Sequence, residues 1–227
     1  MRPSYTPVMD ADAWNARYDT PELVWKGDPN QFLPAEVAGL APGRALDLAC
    51  GEGRNAVWLA TQGWEVTGVD FAGVGLAKAE QLASDKGVTG TWIAADATTW
   101  EPPHTYDLVI VFYLQLPADQ LGAAVRTAVR ALAPGGTFLL VCHDLLNLSE
   151  GHGGPQDAVV LTTVEDVVDD LAAAELTLDI ELVTERAERV DRVVATEDGD
   201  RTAIDTLVRA RRVDAAPASA AGTGATV

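Results

Sequence analysis

Three carboxylates, Asp47, Asp70 and Asp96, close three successive apolar runs of this 227-residue chain, and the first is followed at once by a turn containing Gly51 and Gly53. Each has a chemistry that its type allows. The two oxygens of Asp70 can accept both hydroxyls of a ribose, with Phe71 beside it as a surface for a purine ring. Asp96 can accept from an exocyclic amino group, and Ala97 is small enough to leave its own N–H open. Asp47 can face an ammonium group through water. Gly51 and Gly53, followed by Asn55, let backbone N–H groups approach a ligand at the start of a helix. Farther along, His143 and Asp144 place a proton acceptor and a carboxylate side by side, the types that general-base chemistry requires. Adjacent residues of a strand point to opposite sides, so no pairing between them follows from their adjacency.

The elements that must hold these residues alternate. Segments 44–49, 64–70, 91–95, 106–112 and 137–143 are rich in Val, Leu, Ile and aromatic residues, as buried parallel strands require. Helical patterns with stop signals lie between them at 55–62, 74–84 and 119–132, and a further helix is expected over 164–174. Two alternating runs, 178–194 and 203–211, flank the Asp-Gly pair in 197–200, a hairpin signal. The fold class expected is α/β, Rossmann-like and doubly wound: a mostly parallel seven-stranded sheet with a C-terminal antiparallel hairpin and helices on both faces. The chain divides into a cap with helices over 1–43, one domain over 44–212 and a disordered tail over 213–227.

Ligands of open parallel sheets bind beyond the carboxyl ends of the strands. Tyr113, Gln115, His143 and Asn147 are therefore the expected lining of a substrate pocket, with His143, Asp144 and Tyr113 as the candidate catalytic residues. The loop GHGGP at 151–155 is a candidate cover. The glycine loop by itself fits dinucleotides as well as S-adenosylmethionine (SAM). Asp47 and the Asp96–Ala97 pair favour SAM, since NAD carries no ammonium for Asp47 to meet.

In order and spacing these residues resemble class I SAM-dependent methyltransferases over about residues 10–212, and the run DLACGEGRN resembles the tellurite-resistance and thiopurine methyltransferase-like group. The resemblance implies SAM as cofactor and S-adenosylhomocysteine as product. Carried over by position, it implies that Gly51 and Gly53 cradle the methionine portion, Asp70 holds ribose, Asp96 with Ala97 reads adenine, and Phe112 and Tyr113 flank the sulfonium. Ala49 stands where the superfamily usually has its first glycine, so a methyl group must be accommodated there. The segment WNARY at 14–18 and Trp25 resemble the cap of the same group, with Arg17 pairing with the cofactor's carboxylate. The implied activity is methyl transfer to a small-molecule acceptor at S, O or N by direct in-line displacement. A nucleotide-dependent oxidoreductase and a non-catalytic SAM sensor are the competing readings.

Sixteen basic against 34 acidic residues give a formal charge of −18, which repels a phosphate backbone and argues against nucleic acid. No segment has the run of about 20 apolar residues that a membrane helix needs. A cytoplasmic protein without membrane association is expected, as monomer or homodimer. Cys50 and Cys142 read as small buried hydrophobes, and the scattered His104, His143 and His152 give no reason to expect a metal.

Overall fold

A computed structural model describes residues 9–25 and 27–213, so the expectation of disorder at 214–227 lies outside the described residues, as do residues 1–8 of the cap and Lys26. The first half alternates as the apolar runs require: β1 (Arg44–Leu48), α3 (Arg54–Thr61), β2 (Glu65–Asp70), α4 (Gly73–Asp85), β3 (Thr91–Ala94), β4 (Tyr106–Phe112), α5 (Ala118–Arg130) and β5 (Leu132–His143). Two short helices, α1 (Ala11–Tyr18) and α2 (Leu33–Val37), precede them. After β5 come α6 (Asn147–Glu150), α7 (Val164–Leu178) and the long hairpin β6 (Leu182–Thr196) and β7 (Gly199–Arg212).

The seven strands form one sheet in the order β3-β2-β1-β4-β5-β7-β6. Strands β1 to β5 are parallel, and β7 inserts antiparallel between β5 and β6. The order therefore reverses between β1 and β4, and the crevice of such a sheet opens at the carboxyl ends of those two strands. Alternation along β4 feeds both faces. Leu108 and Ile110 pack with Leu33, Val37, Ala56 and Leu59 of α2 and α3, whereas Val109 and Val111 pack with Leu121, Val125, Val167 and Leu171 of α5 and α7.

Several boundaries differ from the sequence reading, among them the start of β7, which is Gly199 and not residue 203. Leu132, read as the end of a helix, is the first residue of β5 and pairs with Tyr106, and a register irregularity between Tyr106 and Leu108 absorbs the Pro-Gly-Gly stretch that follows. Leu178, read as the start of a strand, is still helical. A capping box between Thr163 and Asp166 starts α7, which runs on until Asp179 takes a left-handed conformation at φ 54°. The hairpin closes with Thr196 opposite Gly199, at φ 105° a position suited to glycine.

Candidate functional site

The loop after β1 is gathered onto the end of β2. Asp70 accepts the Gly51 N–H with one oxygen and the Ala72 N–H with the other, each at 2.8 Å, and burial raises its pKa against those bonds. Asp47 lies beside it, almost fully buried, and accepts the Ala56 N–H at 3.2 Å. Burial, with the charge of Asp70 adding to it, lifts the Asp47 pKa from 3.8 to about 7. Neither carboxylate has a cation in hydrogen-bond contact among the described residues.

Ala49 holds a left-handed backbone at φ 66°, so the chain does accept a methyl group at this strained position. Gly51 and Gly53 are left-handed too, but their missing side chains leave room for protein neighbours. A Cβ on Gly51 would lie 2.7 Å from the Tyr18 hydroxyl, and one on Gly53 would lie 2.5 Å from the Ala79 Cβ. The cradle expected from these glycines is thus also a close-packing site, for Tyr18 of α1 and for α4. Asp96 is exposed and accepts from the Thr98 N–H and hydroxyl at 2.8 and 2.7 Å, while Ala97 is buried behind it and Phe71 is half-buried at the end of β2.

The cap is tied to this loop by residues that the sequence reading passed over. Glu52, nearly fully buried, accepts the N–H groups of Val24 and Trp25 at 3.0 Å each and pairs with Lys78 of α4 at 2.9 Å. Asn15 of α1 accepts the Val74 N–H at 2.9 Å, and Asn55 accepts the Asn30 N–H at 2.8 Å. Asn55 is therefore committed through its carbonyl to the cap. Arg17 is exposed, with its guanidinium 5.5 Å from the ring centroid of Trp14 and 5.4 Å from that of Trp25.

At the ends of β4 and β5 the structure assembles a polar cluster around Asp205 of β7, which is wholly buried. His143 Nδ1 lies 3.0 Å from Asp205 Oδ1, and Oδ2 accepts the Tyr113 hydroxyl at 2.8 Å and Arg192 Nε at 2.7 Å. These donors, His143 and Arg192 foremost, hold the Asp205 carboxyl below its ordinary pKa despite the burial that opposes them. Tyr113 takes a left-handed backbone at φ 55°, with its ring 4.7 Å from the His143 ring, and burial raises its hydroxyl pKa. Phe112 is buried next to it.

Two expectations need correction here. Asp144 faces away from His143 and is structural: its oxygens accept the Leu146 N–H, the Thr206 hydroxyl and Arg189 Nε, and none of its surface is exposed. The alternation of a strand puts it on the other side, and Asp205 takes the place beside His143. Asn147 does not line a pocket either. Its amide accepts the Ile204 N–H and donates to the Gly153 carbonyl, both at 2.8 Å, and so pins the glycine loop. That loop lies over the imidazole, for a Cβ on Gly154 would sit 3.1 Å from three atoms of the His143 ring. Gln115 is half-buried after β4 and makes no side-chain hydrogen bond among the described residues.

The sequence held faint signals for the missed residues. An aspartate inside the apolar run AIDTLV is an anomaly that burial statistics mark for attention. Glu52 lies inside the glycine motif itself but at an unspecified position.

Comparison with known proteins agrees with this geometry. Residues 45–136 match the family model described as a methyltransferase domain. Thiocyanate methyltransferase 1 of Arabidopsis thaliana is 28% identical over 137 residues, 59% of each chain, so the match spans about three fifths of that relative. Among solved structures, the N-methyltransferase NodS of Bradyrhizobium japonicum WM9, in complex with S-adenosylhomocysteine, superposes with a TM-score of 0.65 at 19% identity over 89% of this chain and 97% of that one. TehB of Haemophilus influenzae gives 0.61 at 17% identity over 88% and 66%. No helix of the described residues is long and apolar enough to cross a membrane. Residues 45–136 are thus similar to a methyltransferase domain, and the described residues share the fold of these two solved structures.

Proposed function

We propose that this protein transfers a methyl group from SAM to a small-molecule acceptor, with His143 as the proton acceptor and Asp205 as the residue that orients it. The observation that carries the cofactor half is the pair of buried carboxylates, Asp47 and Asp70, lying beside the strained turn from Ala49 to Gly53 with no ion-pair partner among the described residues. A ligand that brings an ammonium to Asp47 and ribose hydroxyls to Asp70 would satisfy both buried carboxylates. Each Asp70 oxygen accepts one N–H from the chain, so each retains a lone pair for a ribose hydroxyl. Asp96, Ala97 and Phe71 would serve the adenine, and Arg17 the carboxylate.

When bound, SAM supplies an electrophilic methyl group on a neutral leaving group, and in-line attack then needs chiefly alignment, worth about 7–11 kcal/mol. The chain contributes position and a proton sink. With Nδ1–H donated to Asp205, the lone pair of His143 is on Nε2, the nitrogen left to take a proton. Tyr113 lies against the imidazole with its ring tilted 39° to it, and the loop carrying Gly154 packs on the same imidazole.

The test is calorimetric titration of SAM, S-adenosylhomocysteine, NADH and NADPH, followed by incubation with methyl-labelled SAM and a panel of thiols, phenols and heterocycles. The expected result is binding of the first two ligands only, and label in at least one acceptor. Tighter binding of a nicotinamide nucleotide would sink the cofactor reading, and binding without transfer would leave a sensor.

A further inference from the structure

The two edges of the sheet are unequal. At one edge β3 has four residues, whereas at the other β6 has 15 and pairs only with β7. A bulge between Thr184 and Arg186 interrupts β6 near its start, and from Arg186 to Thr196 its register with β7 is unbroken. The outer part of this ribbon reaches past the rest of the sheet. Pairing of β5 with β7 stops at Asp205, so the residues of β7 from Gly199 to Ile204 have β6 alone as a strand partner. A two-stranded ribbon is marginally stable by itself, and this one also leaves Val193 62% exposed.

Native sheets blunt a free edge with lysine, proline or bulges. From Arg186 to Val194, β6 has no lysine and no proline, and its charges alternate in sign: Arg186, Glu188, Arg189, Asp191 and Arg192. In a chain of formal charge −18 this stretch carries three arginines against two acids, so two copies of the chain repel each other least here. Because β7 occupies its other side, β6 can meet a second copy of itself in a closed pair only antiparallel, about a two-fold axis normal to the sheet. That symmetry keeps each side chain on its own face and sets one residue opposite itself. With Val190 on the axis, Glu188 meets Arg192 of the second copy, Arg189 meets Asp191, and Ala187 meets Val193. Moving the axis one residue either way sets arginine against arginine at Arg189, or aspartate against aspartate at Asp191. Asp191 is exposed and has no ion-pair partner among the described residues. Arg189 and Arg192 are already held through Nε by Asp144 and Asp205, so their remaining donors can be met with little further loss of side-chain freedom.

We propose that the free edge of β6 is the seam of a homodimer, in which residues 186–194 of two copies pair antiparallel about Val190 and join the two sheets into one. The partner is this chain itself because the order of charges from Glu188 to Arg192 is its own complement. The seam does not depend on the chemistry proposed for the site, yet it borders it. Arg192, which bonds Asp205, lies opposite Glu188 of the second copy. Pairing along a single edge buries little surface, so the dimer is a reversible one.

The test is sedimentation velocity of the full chain from micromolar to hundreds of micromolar concentration, together with a nitroxide on Ala195→Cys read by pulsed electron spin resonance. The wild type is expected to dimerise reversibly over that range. Asp191→Arg sets arginine against Arg189 twice in the dimer and is expected to raise the dissociation constant about tenfold or more. Glu197→Arg makes the same change of charge outside the paired stretch and is expected to leave that constant as it is. With Val190 on the axis the two labels are expected about 30 Å apart, and a shift of the axis by one residue changes this by about 7 Å. A wild type that stays monomeric over the whole range overturns the proposal. So does a dimer whose labels lie at another separation, or one that Asp191→Arg and Glu197→Arg weaken equally, because the copies then meet elsewhere. If Asp191→Arg fails to fold, the wild-type sedimentation and the label distance decide by themselves.

Discussion

Replacing Asp47 by Asn tests the electrostatics of the cofactor cradle without any ligand present. In the fold, burial first and Asp70 second raise the Asp47 pKa from 3.8 to about 7, against the pull of the Ala56 N–H and Arg54. A group whose pKa is higher in the folded state binds its proton more tightly there, so its contribution to stability is fullest below 3.8 and is lost as pH rises through about 7. The ionised carboxylate then costs the fold about 4 kcal/mol at pH 8 and about 2 kcal/mol at pH 5. Asparagine keeps the shape and can accept the Ala56 N–H through its carbonyl, but it carries no charge to desolvate. Its advantage over the wild type is therefore expected to grow by about 2–3 kcal/mol between pH 5 and pH 8, or roughly 5–10 °C in Tm for a domain of this size. Scanning calorimetry of both proteins in ligand-free buffer at pH 5, 6, 7 and 8 measures it. Parallel curves of Tm against pH for the two proteins would refute the reasoning, because the carboxylate would then carry no buried charge. The same substitution is expected to weaken SAM binding at pH 8 by about tenfold, the loss of one charge-assisted contact.

Ala49→Gly removes the left-handed strain at φ 66° and is expected to raise stability in urea by about 0.5 kcal/mol net of glycine's greater chain entropy, whereas Ala49→Val lowers it by about 2 kcal/mol. Glu52→Gln breaks the ion pair with Lys78 and one anchor of the cap, so limited proteolysis around Val24 and Trp25 should quicken and SAM affinity fall several-fold; unchanged cleavage would show that the cap is held by other contacts. Asp205→Asn leaves Arg192 and His143 without their shared carboxylate, with an expected loss of about 2–4 kcal/mol in stability and about a hundredfold in kcat. A purely structural role for Asp205 would instead leave the shape of the pH–rate profile unchanged in the surviving activity.

Local chemistry made much of this legible in the sequence. The β4 run is continuous and apolar because that central parallel strand is buried on both faces, whereas the edge strand β3 is only half-buried, and the Asp-Gly pair marks the hairpin because few other residues tolerate its turn. Asp47 and Asp70 could be named because each ends a strand beside the glycine loop. The acceptor side was less legible. His143 was named, but its partner Asp205 is distant in sequence and comes beside it only because β7 inserts between β5 and β6. Asp144, its neighbour in the chain, lies on the opposite face for the simple reason that strands alternate.

The family match ends at Gly136, before His143, Arg192 and Asp205. On the proposed reading, the proton acceptor and the carboxylate that orients it lie outside the stretch that carries the cofactor residues, and the pairing of β5 with β7 brings them together. On that reading, substitutions in the hairpin would re-tune the choice of acceptor while the residues proposed for the cofactor stay as they are. In this architecture the last two strands are where new specificities can arise at least cost to the rest of the fold.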